Sequence, residues 1–359
     1  MRLKLSDYGY TILMIETKRV CNMRCKFCAY PLMENKGSEL SSECVYRIVD
    51  SIDPADSKLE AVYLQKYNEP LLDTRIFDFI KYAKNRGLKV QIITNGLPLG
   101  FKEIRDKLLA SEPTNILISL QIIGEHNFAN SRGTSCSFDE YKKGIFAFLE
   151  DSLNRTSPTM ITIDVACNFL SDASIFSKTG KITKILGLDR GDPSVPNAVH
   201  DIQDDLMDFL KELHAYNSSF AYDKETVERY LETVEPNYIN QTGLPVSEHI
   251  SIKIKQFIHG RKLTEYHPLL KSIGCNTGML SVDADGSIAP CCLAYGDMLT
   301  MGNIKHDSLK NILKKSAKFV DGIRTGKKLP EICMRCHGEP TRRGSLVASI
   351  YWTIRQWMQ

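Results

Sequence analysis

The chain has 359 residues, 43% of them hydrophobic and 25% charged, with a formal net charge of +3 at pH 7. These proportions argue against disorder and suit about two domains, or one barrel-sized domain with an appendage. The small charge gives no reason to expect nucleic acid or a membrane surface as partner, no run reaches the ~18 apolar residues of a membrane span, and Met1–Tyr10 do not read as a signal peptide, so a cytoplasmic location is expected.

In chain order, short β-branched runs alternate with amphipathic stretches. The runs Thr11–Thr17, Ala61–Tyr67, Lys89–Thr94, Asn115–Gln121 and Met160–Ala166 predict strands. Ser42–Ile52, Arg75–Asn85, Glu103–Ala110 and Asp139–Leu153 predict the helices between them. Ile76, Phe79, Ile80 and Ala83 fall on one helix face. Ser137 and Glu140 form a capping box, and Asn85-Arg86-Gly87 stops one helix just before a strand. Repeated strand–helix–strand units argue for a parallel sheet with right-handed crossovers. A sixth strand is predicted at His249–Phe257, where Ile250, Ile252 and Ile254 alternate with polar residues. An insertion at about residues 171–247 precedes it, with helices around Ile202–Tyr216 and Thr226–Val234. Beyond Gly274, Asp283-Ala284-Asp285-Gly286 between Met279–Val282 and Ser287–Ala289 signals a hairpin. Helices at Ser308–Thr325 and Ser345–Trp357 flank a C-x2-C pair.

Eleven cysteines in a chain with no export signal point to metal ligands rather than disulfides. Cys21, Cys25 and Cys28 form C-x3-C-x2-C in the loop after the first predicted strand. Three thiolates can hold three irons of a four-iron cubane, leaving the fourth open, and an open position marks a catalytic metal site. This motif, with aromatic Phe27 before the third cysteine, resembles that of the radical SAM superfamily. The resemblance implies a [4Fe–4S] cluster whose open iron chelates S-adenosylmethionine (SAM). It implies reductive cleavage of SAM to a 5′-deoxyadenosyl radical and hydrogen abstraction from substrate, with an external flavodoxin- or ferredoxin-type reductant. Tyr67-Asn68-Glu69-Pro70 resembles the G-G-E-P segment that binds the SAM amino group, with Tyr-Asn replacing Gly-Gly. Asn95, Ser119, Arg132 and Asn168 match further SAM-binding positions, Arg132 pairing with the SAM carboxylate. Phe27 and Tyr30 beside the cysteines join this set.

Cys275, Cys291, Cys292, Cys333 and Cys336 crowd the last quarter, and C-x10-G-x4-C runs through Gly286. By spacing alone a structural zinc site would also use four such cysteines. The pattern resembles the SPASM auxiliary-cluster module, and its shorter twitch form better, because no cysteine follows Cys336. The resemblance implies one auxiliary [4Fe–4S] cluster on Cys275, Cys291, Cys333 and Cys336, with Cys292 a neighbour and possible substitute. Cys44, Cys136 and Cys167 read most simply as buried small hydrophobes. Cys167, ending the fifth strand, is also a candidate catalytic thiol that returns a hydrogen atom to a substrate radical.

The expected architecture is α/β: a partial (β/α)6 TIM-like barrel over residues 1–260 and a small cysteine-rich twitch-like module with a terminal helix over 261–359. The expected activity is oxidation or epimerisation of a small sugar-like or aminocyclitol substrate. The first strand begins near Thr11, leaving no room for an N-terminal peptide-binding domain, and the mixed charge of the insertion gives no argument for a phosphorylated substrate. A peptide-modifying maturase is the alternative, and a non-catalytic iron–sulfur or zinc protein is the rival from another class.

Overall fold

The computed structural model describes residues 2–155, 159–167, 195–196, 199–234, 242–256, 260–270, 274–275, 278–338 and 342–357. Its ten strands are β1 (Ile12–Ile15), β2 (Ala61–Tyr63), β3 (Val90–Thr94), β4 (Asn115–Gln121), β5 (Met160–Cys167), β6 (Leu244–Pro245), β7 (Ile250–Gln256), β8 (Met279–Val282), β9 (Ser287–Ala289) and β10 (Gly302–Asn303). They form one sheet in the order β10-β9-β8-β1-β2-β3-β4-β5-β7-β6. The run from β8 to β7 is parallel throughout, as expected of strands joined by helical crossovers.

The helices are α1 (Ser42–Ser51), α2 (Ile76–Asn85), α3 (Lys102–Ala110), α4 (Glu125–Arg132), α5 (Phe138–Leu153), α6 (Gln203–Tyr216), α7 (Lys224–Thr233), α8 (Lys262–Glu265), α9 (Leu309–Arg324), α10 (Glu331–Cys336) and α11 (Arg342–Trp357). Ser137 and Glu140 cap α5 in a box, as their spacing predicts. The apolar stripes of α2, α5, α6 and α7 share one core with the outward residues of the strands, among them Ile250, Ile252 and Ile254. This is the layered packing of a partial α/β barrel.

One feature departs from the sequence reading. The second strand ends at Tyr63 rather than Tyr67, because Asn68 Oδ1 accepts the Lys66 N–H at 3.0 Å and turns the chain out of the ladder. The C-terminal hairpin continues the barrel sheet: β8 lies alongside β1 in parallel register, Ile12 opposite Met279 and Ile15 opposite Val282. Among the described residues no helix is long and apolar enough to cross a membrane.

Candidate functional site

Parallel strands bring their C-terminal ends to one rim, and the cysteine loop leaves that rim after β1. The loop is fixed by backbone bonds to the end of α4. Arg24 N–H donates to the carbonyls of Arg132 and Gly133, each at 3.2 Å, and Lys26 N–H donates to Ser131 at 2.9 Å. Gly133 sits at φ +57°, and a Cβ there would lie 2.5 Å from the Arg24 carbonyl oxygen. The far side of the loop is held by Gly260 N–H on the Phe27 carbonyl and Arg261 Nε on the Cys28 carbonyl, both 2.9 Å. Burial pushes the Cys21 thiol up to about 11 and the Cys28 thiol up to about 12. Only strong electrophiles such as iron ions draw such thiols to thiolate near neutrality, so metal uptake there must release protons.

Glu69 lies against this loop, its N–H donating to the carbonyl of Val20 at 2.8 Å. Its carboxylate is 1% exposed. Oε1 accepts from Thr94 Oγ1 at 2.8 Å and Leu71 N at 3.1 Å, and Oε2 accepts from Asn95 N at 2.6 Å. Three protein donors thus hold it, and it ties the segment after β2 to the end of β3. Burial outweighs those bonds and raises its pKa to about 7. Asn95 Nδ2 reaches Cys21 Sγ at 3.7 Å and Asn22 Oδ1 at 2.8 Å. Arg132, 2% exposed, donates through Nη2 to the carbonyls of Asn95 at 3.3 Å and Ser119 at 3.0 Å, while its Nε has no partner. Its charge favours the thiolates of Cys21 and Cys28. Asn68 is buried and its Nδ2 is also unpartnered. Two orphaned buried donors, one of them on an arginine whose charge acts on the three thiols, fit a site that takes a group carrying a carboxylate.

The remaining predicted residues separate. Ser119 is half-buried and accepts from Gln121 Nε2 at 2.7 Å. Phe27 is half-buried against the core. Tyr30 is buried beneath Arg24, whose guanidinium is 5.2 Å from its ring centre, and its N–H donates to Cys28 Sγ at 3.4 Å. Cys167 does end β5, but it is fully buried in the main core. Asn168 lies outside the described residues.

The C-terminal cysteines gather at a second place. Cys275, Cys291, Cys333 and Cys336 line one cavity, closed by Leu263 and Ile323 among others. Cys292 does not line it. Its thiol instead donates to Cys291, and that bond, with the N–H groups of Leu293 and Ala294, holds the Cys291 pKa below the ordinary thiol value. Burial pushes Cys333 up to about 12. Among the described residues no three His, Cys, Asp or Glu side chains stand close enough to hold a single metal ion. Tyr67, the departure from G-G-E-P, joins the two cysteine groups. Its hydroxyl donates to the Leu293 carbonyl at 2.8 Å and its ring meets Tyr295 edge-on at 5.9 Å. Ala29 and Met33, just past Cys28, complete this small core.

Two polar groups escaped the sequence reading. Glu16, Arg19, Lys66 and Asp283 form a buried ion cluster at the ends of β1, β2 and β8. Asp164 on β5, with no exposure, pairs with Lys255 on β7 and lies opposite Lys253 in register. The alternation along the sixth strand was legible, but which strands would face it was not.

Two family models match the chain: Radical SAM superfamily over residues 15–165, and the SPASM iron–sulfur cluster-binding domain over residues 275–337. An AdoMet-dependent heme synthase of Methanosarcina barkeri is 24% identical over 305 residues, covering 83% of this chain and 80% of the relative. A probable GTP 3′,8-cyclase of Methanocella arvoryzae is 22% identical over 315 residues, covering 87% and 92%. Among solved structures, native anSMEcpe with bound AdoMet shares the fold, with a TM-score of 0.50 at 15% identity over 97% of this chain and 98% of that one.

Proposed function

The chain belongs to the radical SAM superfamily and carries a C-terminal SPASM iron–sulfur cluster-binding domain, and from that premise we propose that it oxidises a small-molecule substrate through hydrogen-atom abstraction. When bound, the barrel cluster supplies an electron that cleaves SAM to methionine and a 5′-deoxyadenosyl radical. Cys21, Cys25 and Cys28 hold that cluster. Arg132 offers its unpartnered Nε to the SAM carboxylate, and Asn68 offers Nδ2 as a further buried donor. Glu69 fixes the backbone that receives SAM through three accepted hydrogen bonds, and Oε2, with one donor, keeps an acceptor position for the SAM amino group. Cys275, Cys291, Cys333 and Cys336 would hold the auxiliary cluster, which would supply an acceptor for the second electron. A flavodoxin- or ferredoxin-type protein supplies the first.

One observation carries this reading: four cysteines, two on α10 and one just past β9, line a single cavity. Sulfurs spread around a volume suit a polynuclear cluster better than zinc, whose four ligands meet about 2.3 Å from one point. Oxidation is favoured over epimerisation because Cys167 is sealed in the core. A small molecule is favoured over a peptide because both long relatives are named for small molecules, heme and GTP.

The test is anaerobic reconstitution. With SAM and a strong reductant the protein should form 5′-deoxyadenosine, and Cys25→Ala should abolish it. Iron should reach about eight per chain. About four irons would remove the auxiliary electron acceptor, and four irons with one zinc would assign the C-terminal cysteines to zinc. No 5′-deoxyadenosine from fully loaded protein would overturn the enzymatic reading.

A further inference from the structure

Val62 and Leu64 are fully buried in the main core, on the helix side of the sheet. The alternate residues of that segment, Tyr63 and Gln65, therefore face the barrel interior. The Tyr63 phenol is pushed up to about 12, chiefly by burial and then by the charges of Glu60 and Asp164. Asp164 lies on β5, with β3 and β4 between it and β2 in the sheet, so it reaches Tyr63 across the interior. Gln65 is 2% exposed, and among the described residues neither its Oε1 nor its Nε2 has a hydrogen-bond partner. A closed TIM barrel fills interior positions with branched apolar side chains. Methionine would occupy nearly the same space as Gln65 without taking an amide out of water.

A second orphan lies on the neighbouring strand end. Met14 of β1 stands opposite Tyr63 of β2 in parallel register, and Glu16 and Gln65 each follow two residues beyond that pair. Burial foremost raises the Glu16 carboxyl, and the charges that act on it are those of Arg19, Asp283 and Lys66, the residue after Gln65. Glu16 Oε2 accepts from Arg19 Nε at 2.9 Å and Ala284 N at 3.1 Å, while Oε1 has no partner among the described residues. The ions here answer one another: Arg19 faces Glu16, Asp283 and Asp285, and Lys66 faces Asp283. Three carboxyl groups meet two cations, so no cation is left over for an anion. What stays free at this strand end is a neutral amide and one carboxyl oxygen.

The place is close to where the radical forms. Gln65 is three residues before Asn68, whose buried Nδ2 is offered to SAM. It is four before Glu69, which holds the cysteine loop through the Val20 carbonyl. Three residues of extended chain span at most ~11 Å.

We propose that Gln65 recognises the substrate by an edge that carries a hydrogen-bond donor and an acceptor side by side, as an amide or a vicinal diol does, with Glu16 Oε1 as a further acceptor. The inference rests on the small-molecule reading above and narrows it to a neutral group at this end of the substrate. A side-chain amide presents one acceptor and one donor in a plane, so it reads such an edge with two parallel bonds, as glutamine reads adenine in DNA. A site with a dry amide also rejects an analogue that lacks the matching groups, because the amide then stays unpaired.

The test uses the reconstituted holoenzyme with SAM present. Two probes, 2-pyrrolidinone for the amide edge and cis-1,2-cyclohexanediol for the diol edge, are titrated by proton saturation-transfer NMR. Saturable binding of at least one is expected: pyrrolidinone alone assigns an amide, the diol alone assigns a diol, and both assign an edge read without discrimination between them. Gln65→Met should weaken that binding about tenfold or more, as for a lost pair of hydrogen bonds. The same variant should keep its iron content and its SAM binding, which separates Gln65 from the groups that hold the cofactor. Its urea midpoint without probe should not fall, since the amide it removes has no partner in the protein. Absence of saturable binding by both probes overturns the proposal, as does binding that survives Gln65→Met. A fallen midpoint, or a crystal soaked with both probes that shows only an ordered water on the amide, overturns it as well, because the amide then serves the fold. If 5′-deoxyadenosine still forms in those cases, the recognition edge fails and the radical enzyme stands. Gln65-dependent binding without 5′-deoxyadenosine would keep the edge and sink the enzyme.

Discussion

Arg132 places a guanidinium, nearly sealed from water, among three thiols. The Glu69 carboxyl, itself raised by burial, is a partial counter-charge for it, and thiolates bound to iron would add to that counter-charge. Arg132→Met should therefore lower iron incorporation and leave the Asn95 and Ser119 carbonyls short of a donor, costing about 2–4 kcal/mol in a denaturant titration. Arg132→Lys, which keeps the charge but not the planar fork, should fall between the two. Glu69 makes a pH-dependent prediction. Its folded pKa of about 7 lies above the ordinary 4.5, so the native state holds a proton that the unfolded state releases. That contribution is complete below about pH 4.5 and disappears as pH rises through about 7. The stability gap between the metal-free protein and its Glu69→Gln variant should shrink by up to about 3 kcal/mol from pH 5 to pH 8, measured by urea midpoints. The cysteines were legible because their spacing is local. The hydrogen bonding of Glu69 was not, because its partners Thr94 and Asn95 lie on another strand end.

At the scale of elements, the cysteine loop depends on the turn that ends α4. Gly133→Ala would strain a left-handed residue and drive a methyl group into the Arg24 carbonyl. A cost of about 1–2 kcal/mol is expected from the backbone alone. Iron uptake should suffer more than the melting temperature, because the displaced atoms belong to the loop. Gly286, at φ +91° in the β8–β9 turn, faces Asn303 Oδ1 at 2.5 Å from a Cβ position. Gly286→Ala should lower stability by about 1–3 kcal/mol by calorimetry, with the barrel loop unaffected. Most strands and helices were legible from β-branched runs and apolar spacing. The helix α4 was not, because Glu125–Arg132 has almost no amphipathic pattern and is held by the burial of Phe128 and Arg132. The helix carrying Cys333 and Cys336 was likewise hidden by its length of six residues.

For the whole molecule, the parallel pairing of β8 with β1 joins segments more than 260 residues apart. Pairing at that separation leaves no local trace in sequence, so the expected module emerged as an extension of the sheet. Removal of residues beyond 270 would strip β8 to β10 and leave β1 with an open edge. Such edges recruit other chains. The truncated protein should appear mainly in the insoluble fraction, and refolded material should elute as aggregates in gel filtration. The Tyr67–Tyr295 contact adds a second tie between the two halves. Neighbouring strands sit about 4.8 Å apart, held by a ladder that does not stretch. The loop that carries Cys21, Cys25 and Cys28 and the hairpin that leads to Cys291 leave neighbouring strands of that ladder, so the spacing between these two stretches of chain is set by β1 and β8 once the sheet has formed.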